Sequence, residues 1–544
     1  MSTKTENISN SDGPVGDRFD AIVVGAGFAG LYMLYRLRQD GLRVCGIESA
    51  PDVGGTWYWN CYPGCRCDIE SFQYCYQFDK ELQQDWTWKE RYAAQPDILA
   101  YIEHVADRFE LRPDFRFNTR VTAATFDEAA DEWAVVTDSA ATLRARYFIL
   151  GTGCLSSTVM PDLPGMNDFR GGLYHTGQWP VDGVDFAGHR VGVIGTGSSA
   201  VQSIPLIAEQ ADHVFVFQRT PNFVVEAQNR PLPADEMAAI RANYDALRED
   251  AKSVFSAYVF PRSDDTTFSV SPEEREARFE EYWNLGGLQF FGAFTDMLTS
   301  EQANAAIVKF WRAKIGEVVK DPAVADLLTP DEVFGCKRLC AGTDYYQVYN
   351  RDNVTLVDVS KTGIETFTET GLRAEGENYA LDNVVCATGF DAMTGSIMRI
   401  ALAGKGGRTI QDKWRDGPDN YIGLTIAGFP NLFYMQGPGS PSVLATMVTG
   451  AEQHADWIAD CIRWMSENGK THIEATEDAE AEWVATVDEA AQGSLRSSCN
   501  SWYVGSNVPG KARVFMPYIG GFPKYVEKCD DVAARGYDGF LFDA

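Results

Sequence analysis

Two short runs in this chain have the residue types and spacing that bind the phosphates of a dinucleotide. In Asp20-Ala-Ile-Val-Val-Gly25-Ala-Gly27-Phe-Ala-Gly30, an apolar strand-like run enters G-x-G-x-x-G, and a helix-like pattern follows. Gly25 permits a tight turn, Gly27 lets backbone approach a pyrophosphate, and Gly30 lets helix lie close on strand. The helix N-terminus then presents free N–H groups and a positive dipole end to the phosphates. A second strand pattern at residues 42–47 ends in Glu48, 21 residues past Gly27, where a carboxylate can hold a ribose diol. The pattern recurs in Val191-Gly-Val-Ile-Gly195-Thr-Gly197-Ser198-Ser199-Ala200, with Ala in the tolerated third place. Its next strand pattern, 214–217, runs through Gln218 into Arg219 and Thr220, so a base stands where the first copy has an acid. A guanidinium can bind a 2′-phosphate that a carboxylate would repel. The first motif is therefore expected to hold FAD and the second NADPH. The bland alternatives are a glycine-rich turn in an unrelated fold and a solvated surface Arg219.

The elements that must position these residues make an α/β chain of two Rossmann-like dinucleotide-binding domains, with a helical insertion in the NADPH domain. The expected division is a disordered tail at 1–18, a FAD-binding domain at 19–152 and 386–544, and an NADPH-binding domain at 153–385. Charged, helix-periodic sequence at 229–330 reads as the insertion. Val384-Val-Cys-Ala-Thr-Gly389 reads as a strand returning the chain to the first domain, and Gly151-Thr-Gly153 and Thr388-Gly389 as the two crossings, where Gly suits a hinge.

A formal net charge of −30, from 77 acids against 47 bases, argues against nucleic acid and against anionic lipid as partners. The most apolar stretch, 20–37, is broken by its glycines and does not read as a membrane span. With no export signal, the cytoplasm is the expected location and the 12 cysteines are expected as thiols. Cys61, Cys65 and Cys67 are close together, but no second pair has zinc-ligand spacing, so no metal is expected.

The segment Phe169-Arg-Gly171-Gly-Leu-Tyr-His175-Thr-Gly-Gln-Trp179-Pro180 matches F-x-G-x-x-x-H-x-x-x-W-P. By that signature, lying between the two dinucleotide motifs, the chain resembles the type I Baeyer–Villiger monooxygenases, among them the phenylacetone, steroid and cyclohexanone enzymes. The resemblance spans residues 20–541. It implies a reaction in which NADPH reduces FAD, O2 forms a C4a-peroxyflavin, and a ketone becomes an ester or lactone. The resemblance makes Arg338, in Gly335-Cys-Lys337-Arg338-Leu, the fixed cation that stabilises the anionic species, and Asp68 the carboxylate that positions it. It makes Gly55, Thr56 and Trp57 part of a flavin-contacting loop, Lys337 a helper of Arg219 and Thr220 at the 2′-phosphate, and Trp502 part of a C-terminal loop over NADP. His175 is expected to be structural or domain-coupling. Cys154, Leu155, Val443, Leu444, Ala445 and Met447 are expected at the ketone pocket, with core packing the alternative for each. Cys61 stands where the family often has Arg, and Cys65 where it has a small residue.

The implied partners are O2 and a bulky aromatic or alicyclic ketone, with a monomeric enzyme and sulfoxidation as a side activity. The main alternative is a flavin monooxygenase acting on sulfur or nitrogen. An electron-transfer reductase would need a dithiol, and no C-x-x-C occurs. Cys336 and Cys340 flank Arg338, and buried thiols are the plainer reading there. A redox sensor holding FAD without turnover is the remaining, non-enzymatic alternative.

Overall fold

The computed structural model describes residues 16–543 and contains two parallel-rich sheets joined by a double crossing. The expected tail falls largely outside the described residues, but its last residue does not: Arg18 begins the first strand, Arg18–Val24. In the first sheet that strand lies between Val44–Ile47 and Thr142–Leu150, with all pairs parallel. Val121–Asp127 and Glu132–Thr137 extend the sheet as antiparallel strands, and Ala401–Ala403 pairs with Val121–Asp127. Leu432–Tyr434 adds to Thr142–Leu150 from the far end of the chain. Val44–Ile47 is buried throughout, as a strand covered on both faces must be, which is why it reads as an unbroken apolar run.

The second sheet has five parallel strands in the order Val354–Asp358, His213–Gln218, Arg190–Ile194, Asn383–Cys386, Gly172–His175. This moves one expected boundary. Asn383–Cys386 pairs with Arg190–Ile194 and Gly172–His175, so it closes the second sheet and does not itself return the chain to the first. A cut at 385 falls inside that strand. The crossings lie side by side: Val159 N donates to Gly389 O at 3.0 Å, Asp391 N to Ser157 O at 2.7 Å, and Met393 N to Cys154 O at 2.8 Å. Two antiparallel stretches therefore connect the sheets, giving a paired hinge.

Between the sheets' second-domain strands the chain makes the helices Ala234–Ala242, Tyr244–Ser253, Pro272–Leu285, Glu301–Val318 and Pro322–Leu328. Pro272–Leu285 starts with a capping box, in which Ser271 Oγ accepts from Glu274 N while the Glu274 carboxylate accepts from Ser271 N, and Pro272 occupies the first turn. The excursion leaves and returns through two short parallel strands, Val224–Glu226 and Cys340–Gly342. Trp311, fully buried, donates its indole N–H to Val224 O at 3.0 Å and packs against Phe223, Phe290 and Phe334. That aromatic cluster fixes the insertion to its stem, and the stem hands the chain directly to and from the segment bearing Arg338.

Candidate active site

The two glycine turns share one backbone geometry. Gly25 and Gly195 both have φ +108°, and a Cβ on either would meet a carbonyl oxygen of a neighbouring strand's end, Gly151 at 2.4 Å or Ala387 at 2.6 Å. Both turns open the helices Phe28–Gln39 and Ser198–Gln210. Across the first turn, Gly27 faces Gly55, and a Cβ on Gly55 would come within 2.7 Å of the Gly27 Cα. Two bare backbones line that gap, which fits the close approach of a flavin nucleotide's pyrophosphate. At the second turn a Cβ on Gly197 meets nothing within 4 Å, which leaves room at that helix N-terminus for the phosphates of NADPH.

The residues past each second strand differ sharply. Glu48 is buried and accepts from Ala26 N at 2.8 Å, Ala50 N at 2.7 Å and Ser49 Oγ at 3.1 Å. Arg219 is exposed and has no hydrogen-bond or ion-pair partner among the described residues. Thr220 accepts from Thr196 Oγ1 at 2.8 Å. Lys337 is committed elsewhere, to Glu332 at 2.8 Å, so help at a 2′-phosphate would require it to leave that pair.

Arg338 and Asp68 are 270 residues apart in the chain and meet as a fork. Arg338 Nε and Nη2 donate to the two carboxylate oxygens of Asp68 at 2.6 and 2.8 Å, and Nη1 donates to Val443 O at 2.8 Å. Such bidentate geometry fixes the guanidinium plane as well as its position. Burial works against the charge, but the Asp68 carboxylate more than offsets it and raises the pKa of Arg338. The guanidinium is therefore a permanent, immobile cation. About a quarter of its side chain (27%) stays accessible, because it forms part of the wall of a cavity of about 490 Å³.

Asp68 follows the loop that begins at Gly54 and carries Trp57, which is buried with its indole N–H 3.4 Å from Tyr74 Oη. Thr56 opens the short helix Thr56–Trp59, and its carbonyl oxygen accepts from Asn60 Nδ2 at 2.8 Å. The signature segment sits between this loop and the second sheet. Gly172–His175 is that sheet's edge strand, and Thr176 Oγ1 donates to Ser199 Oγ at 3.1 Å. His175 Nδ1 accepts from Gly177 N at 3.0 Å, and the ring lies against Phe390. Burial lowers the His175 pKa, while the carbonyls of Val159 and Gly389, one from each crossing, act the other way. The imidazole lies at the paired hinge, between the two crossings. Phe169 packs edge-on against Phe367, and Gly171 allows contact with Asp382 O. Trp179 O and Pro180 O face the Cys61 thiol at 3.6 and 4.0 Å, so Cys61 joins the signature to the Thr56–Trp57 loop. Cys65 is buried, and its thiol is pushed up to about 12 by burial.

Of the residues expected at a ketone pocket, Val443, Leu444 and Ala445 line the cavity with Arg338. Cys154, Leu155 and Met447 do not. They pack beside it with Val443, Ala392, Met393 and Phe515 in one apolar cluster. Burial raises the Cys154 thiol to about 11, so it stays a neutral packing group. Trp502 belongs to the same cluster, its ring 4.1 Å from that of Tyr503. Cys336 and Cys340 are buried free thiols, and Cys340 exchanges a 3.4 Å hydrogen bond with Ser198 Oγ. No group of three or more metal-binding side chains occurs among the described residues. No helix among them is long and apolar enough to cross a membrane.

Residues that motif spacing did not single out form most of the cavity: Tyr258, Phe260, Phe291 and Phe294 from the insertion, and Arg496 and Tyr503 from the C-terminal part. A local signal existed for the insertion. Residues 288–294, Leu-Gln-Phe-Phe-Gly-Ala-Phe, are an apolar run within otherwise charged sequence. For Arg496 there was none.

With this geometry in place, the relatives are informative. The flavin-binding monooxygenase-like family matches residues 20–278. A Baeyer–Villiger monooxygenase of Pseudooceanicola batsensis is 44% identical over the whole of this chain and 99% of its own length. An oxidised steroid monooxygenase solved with NADP bound is 50% identical and superposes with a TM-score of 0.92, covering 96% of this chain and 99% of that one. A phenazine N-monooxygenase of Lysobacter antibioticus is 40% identical over 96% of this chain and 97% of its own.

Proposed function

The chain belongs to the Baeyer–Villiger monooxygenases, within the flavin-binding monooxygenase-like proteins, and on that premise we propose that it uses FAD, NADPH and O2 to convert ketones into esters or lactones. The observation that carries this reading is the Arg338–Asp68 fork at the wall of a cavity lined by the insertion and the C-terminal part of the chain. FAD, when bound, would pass the electrons of NADPH to O2, one oxygen atom of which enters the ketone while the other leaves as water. The chain's own residues do the rest. Nucleophilic attack on a ketone places negative charge on the carbonyl oxygen, and a cation fixed beforehand stabilises that charge without having to reorganise. Asp68 holds the guanidinium in place through two bonds and Val443 O through a third, leaving one edge toward the cavity. Tyr258, Phe291 and Tyr503 give the walls aromatic faces and exclude water around the reacting carbon.

A cavity of this size and lining suits bulky aromatic or alicyclic ketones. The nitrogen-oxidising relative keeps a second reading in view, oxygen transfer to a heteroatom. That transfer develops no oxyanion, so it leaves the clamped Arg338 without a task.

The test is product analysis by mass spectrometry on purified holoenzyme with NADPH and O2, offering phenylacetone, cyclohexanone, a steroid ketone and thioanisole. Ester or lactone from a ketone is the expected result. Arg338→Ala should lower ester formation by about 10²–10³-fold while NADPH still reduces the flavin, judged against losses on removing a single oxyanion-stabilising group. Undiminished ester from that variant, or sulfoxide with no ester from the wild type, would overturn the reading.

A further inference from the structure

The cavity that Arg338 borders has a composition unlike the rest of the molecule. The chain carries 77 acidic residues against 47 basic ones, yet the cavity's lining includes three arginines, Arg262, Arg338 and Arg496, and no Asp or Glu. Arg338 has its counter-ion in Asp68. The other two have none among the described residues.

Arg496 is the telling one. It is only 7% exposed, and it precedes the Trp502 loop on the turn Leu495–Ser498. Its Nε donates to Gly335 O at 2.9 Å, and its guanidinium lies 5.5 Å from the ring of Phe291 and 5.9 Å from that of Tyr503. Those contacts account for the stem nitrogen and the faces. The two terminal nitrogens have no hydrogen-bond partner among the described residues, and they belong to a side chain in the cavity wall. A buried cation without an anion is costly, and more so beside a second guanidinium. Burial lowers the pKa of Arg496 and the nearby Arg338 lowers it further, with Tyr503 acting the other way. Aromatic contact alone is a poor exchange for water, because a guanidinium's in-plane donors point away from the rings it stacks on. Two further polar groups border the same space. Ser256 Oγ is buried without a hydrogen-bond partner, and Arg262 is exposed on the ring of Phe260, 6.0 Å from its centroid.

We propose that this cavity selects ketones that carry a carboxylate, with the terminal nitrogens of Arg496 as the anchor for that group, Arg262 as the cation that attracts it, and Arg338 reserved for the ketone. The proposal rests on the ketone-oxidising reading above and names its substrate class. A planar, bidentate donor pair matches a carboxylate's two oxygens. Anchoring the far end of the substrate on one fixed cation orients the carbonyl toward the other, which converts binding into positioning. The substrate's charge then supplies the anion that the protein does not provide.

The experiment compares 3-(2-oxocyclohexyl)propanoate, its methyl ester and 2-propylcyclohexanone as substrates of the holoenzyme, measuring kcat/KM for lactone formation. The wild type is expected to favour the acid over its ester by at least about tenfold, the size of a charge-assisted hydrogen bond. Arg496→Gln should bring that ratio close to one, Arg496→Lys should keep part of it, and Arg262→Ala should lower it with a weaker salt dependence. The wild-type ratio needs no variant to fold. Flavin absorbance and melting temperature identify any variant that does not. Equal or better use of the ester by the wild type overturns the proposal while leaving ketone oxidation standing. So does an Arg496→Gln enzyme whose acid-to-ester ratio is unchanged but whose KM for NADPH rises, since the anion would then be a cofactor phosphate. No lactone from any of the three ketones overturns ketone oxidation itself.

Discussion

The two glycine turns have the same φ at Gly25 and Gly195 and the same close approach to a neighbouring strand's carbonyl, yet the residues that follow their second strands are treated in opposite ways. Glu48 is buried, with both carboxylate oxygens already accepting protein N–H or O–H groups. Arg219 stands in solvent with no partner among the described residues. The third glycine place differs as well. At Gly30 a Cβ would lie 1.8 Å from Gly25 O, whereas Ala200 sits at the matching place fully buried and without conflict. The shared part is a backbone device that suits any dinucleotide. The difference lies in one side chain and in how tightly helix meets strand, and we propose that cofactor choice is made there.

The largest expected break in this comparison is Gly30→Ala. Its Cβ cannot be accommodated by a side-chain movement, because the obstacle is backbone. The turn must open, and the purified protein should lose most of its FAD and melt well below the wild type. The ratio of flavin to protein absorbance checks this, and a fully loaded variant would refute the account of the first turn. Next comes Arg219→Gln, which should raise the KM for NADPH by about 10–100-fold with little change for NADH, the size of a lost charge-assisted contact to phosphate. Steady-state kinetics with both nucleotides decide it, and an unchanged preference for NADPH would mean that another group holds the 2′-phosphate.

A smaller, pH-dependent effect belongs to the first fold. The helix Met447–Glu467 packs on Phe28–Gln39 and buries Glu452, whose carboxylate oxygen accepts from Gln77 N at 2.6 Å and Phe78 N at 2.9 Å. Burial pushes the Glu452 carboxyl up to about 8, the backbone N–H groups only partly opposing it. The folded protein thus holds a proton that the unfolded chain releases near about 4.3. Folding binds more protons, so this group's contribution to stability falls as pH rises between those two values. Glu452→Gln keeps the acceptor and removes the ionisation. Its melting temperature relative to wild type should rise between pH 5 and pH 8, and a constant difference across that range would argue against a buried protonated Glu452. The smallest effect is expected from Ala200→Gly, which tests whether the second turn tolerates what the first requires. It should cost about 1 kcal/mol, the helix-propensity difference, or about 2 °C in a melt.

Both nucleotide folds were legible because their signals are local. Strand, glycines, helix and the residue ending the next strand all fall within about 30 residues, the length of one such unit. The site was legible in a different way. Arg338 and Asp68 are 270 residues apart, and no periodicity joins them. They were identified through the resemblance carried by Phe169, Gly171, His175, Trp179 and Pro180. Spacing misjudged where the chain crosses back, because Asn383–Cys386 is as apolar as any central strand and does not reveal which sheet it completes. Cys154, Leu155 and Met447 were likewise named beside the right loop, yet their side chains point into a neighbouring apolar cluster.

By itself, then, the sequence determined the class of fold and its two dinucleotide folds, because these follow from short-range spacing that any chain with those residues must obey, while the family came from the resemblance of one signature segment. The tertiary structure alone decided what encloses the substrate. It brought the aromatic run of the insertion and the C-terminal Arg496 to the cavity that Arg338 borders, paired the crossings around His175, and left one guanidinium with its acid and another, more deeply buried, without one. Those outcomes depend on which distant segments share a wall, and packing across such separations leaves no pattern along the chain.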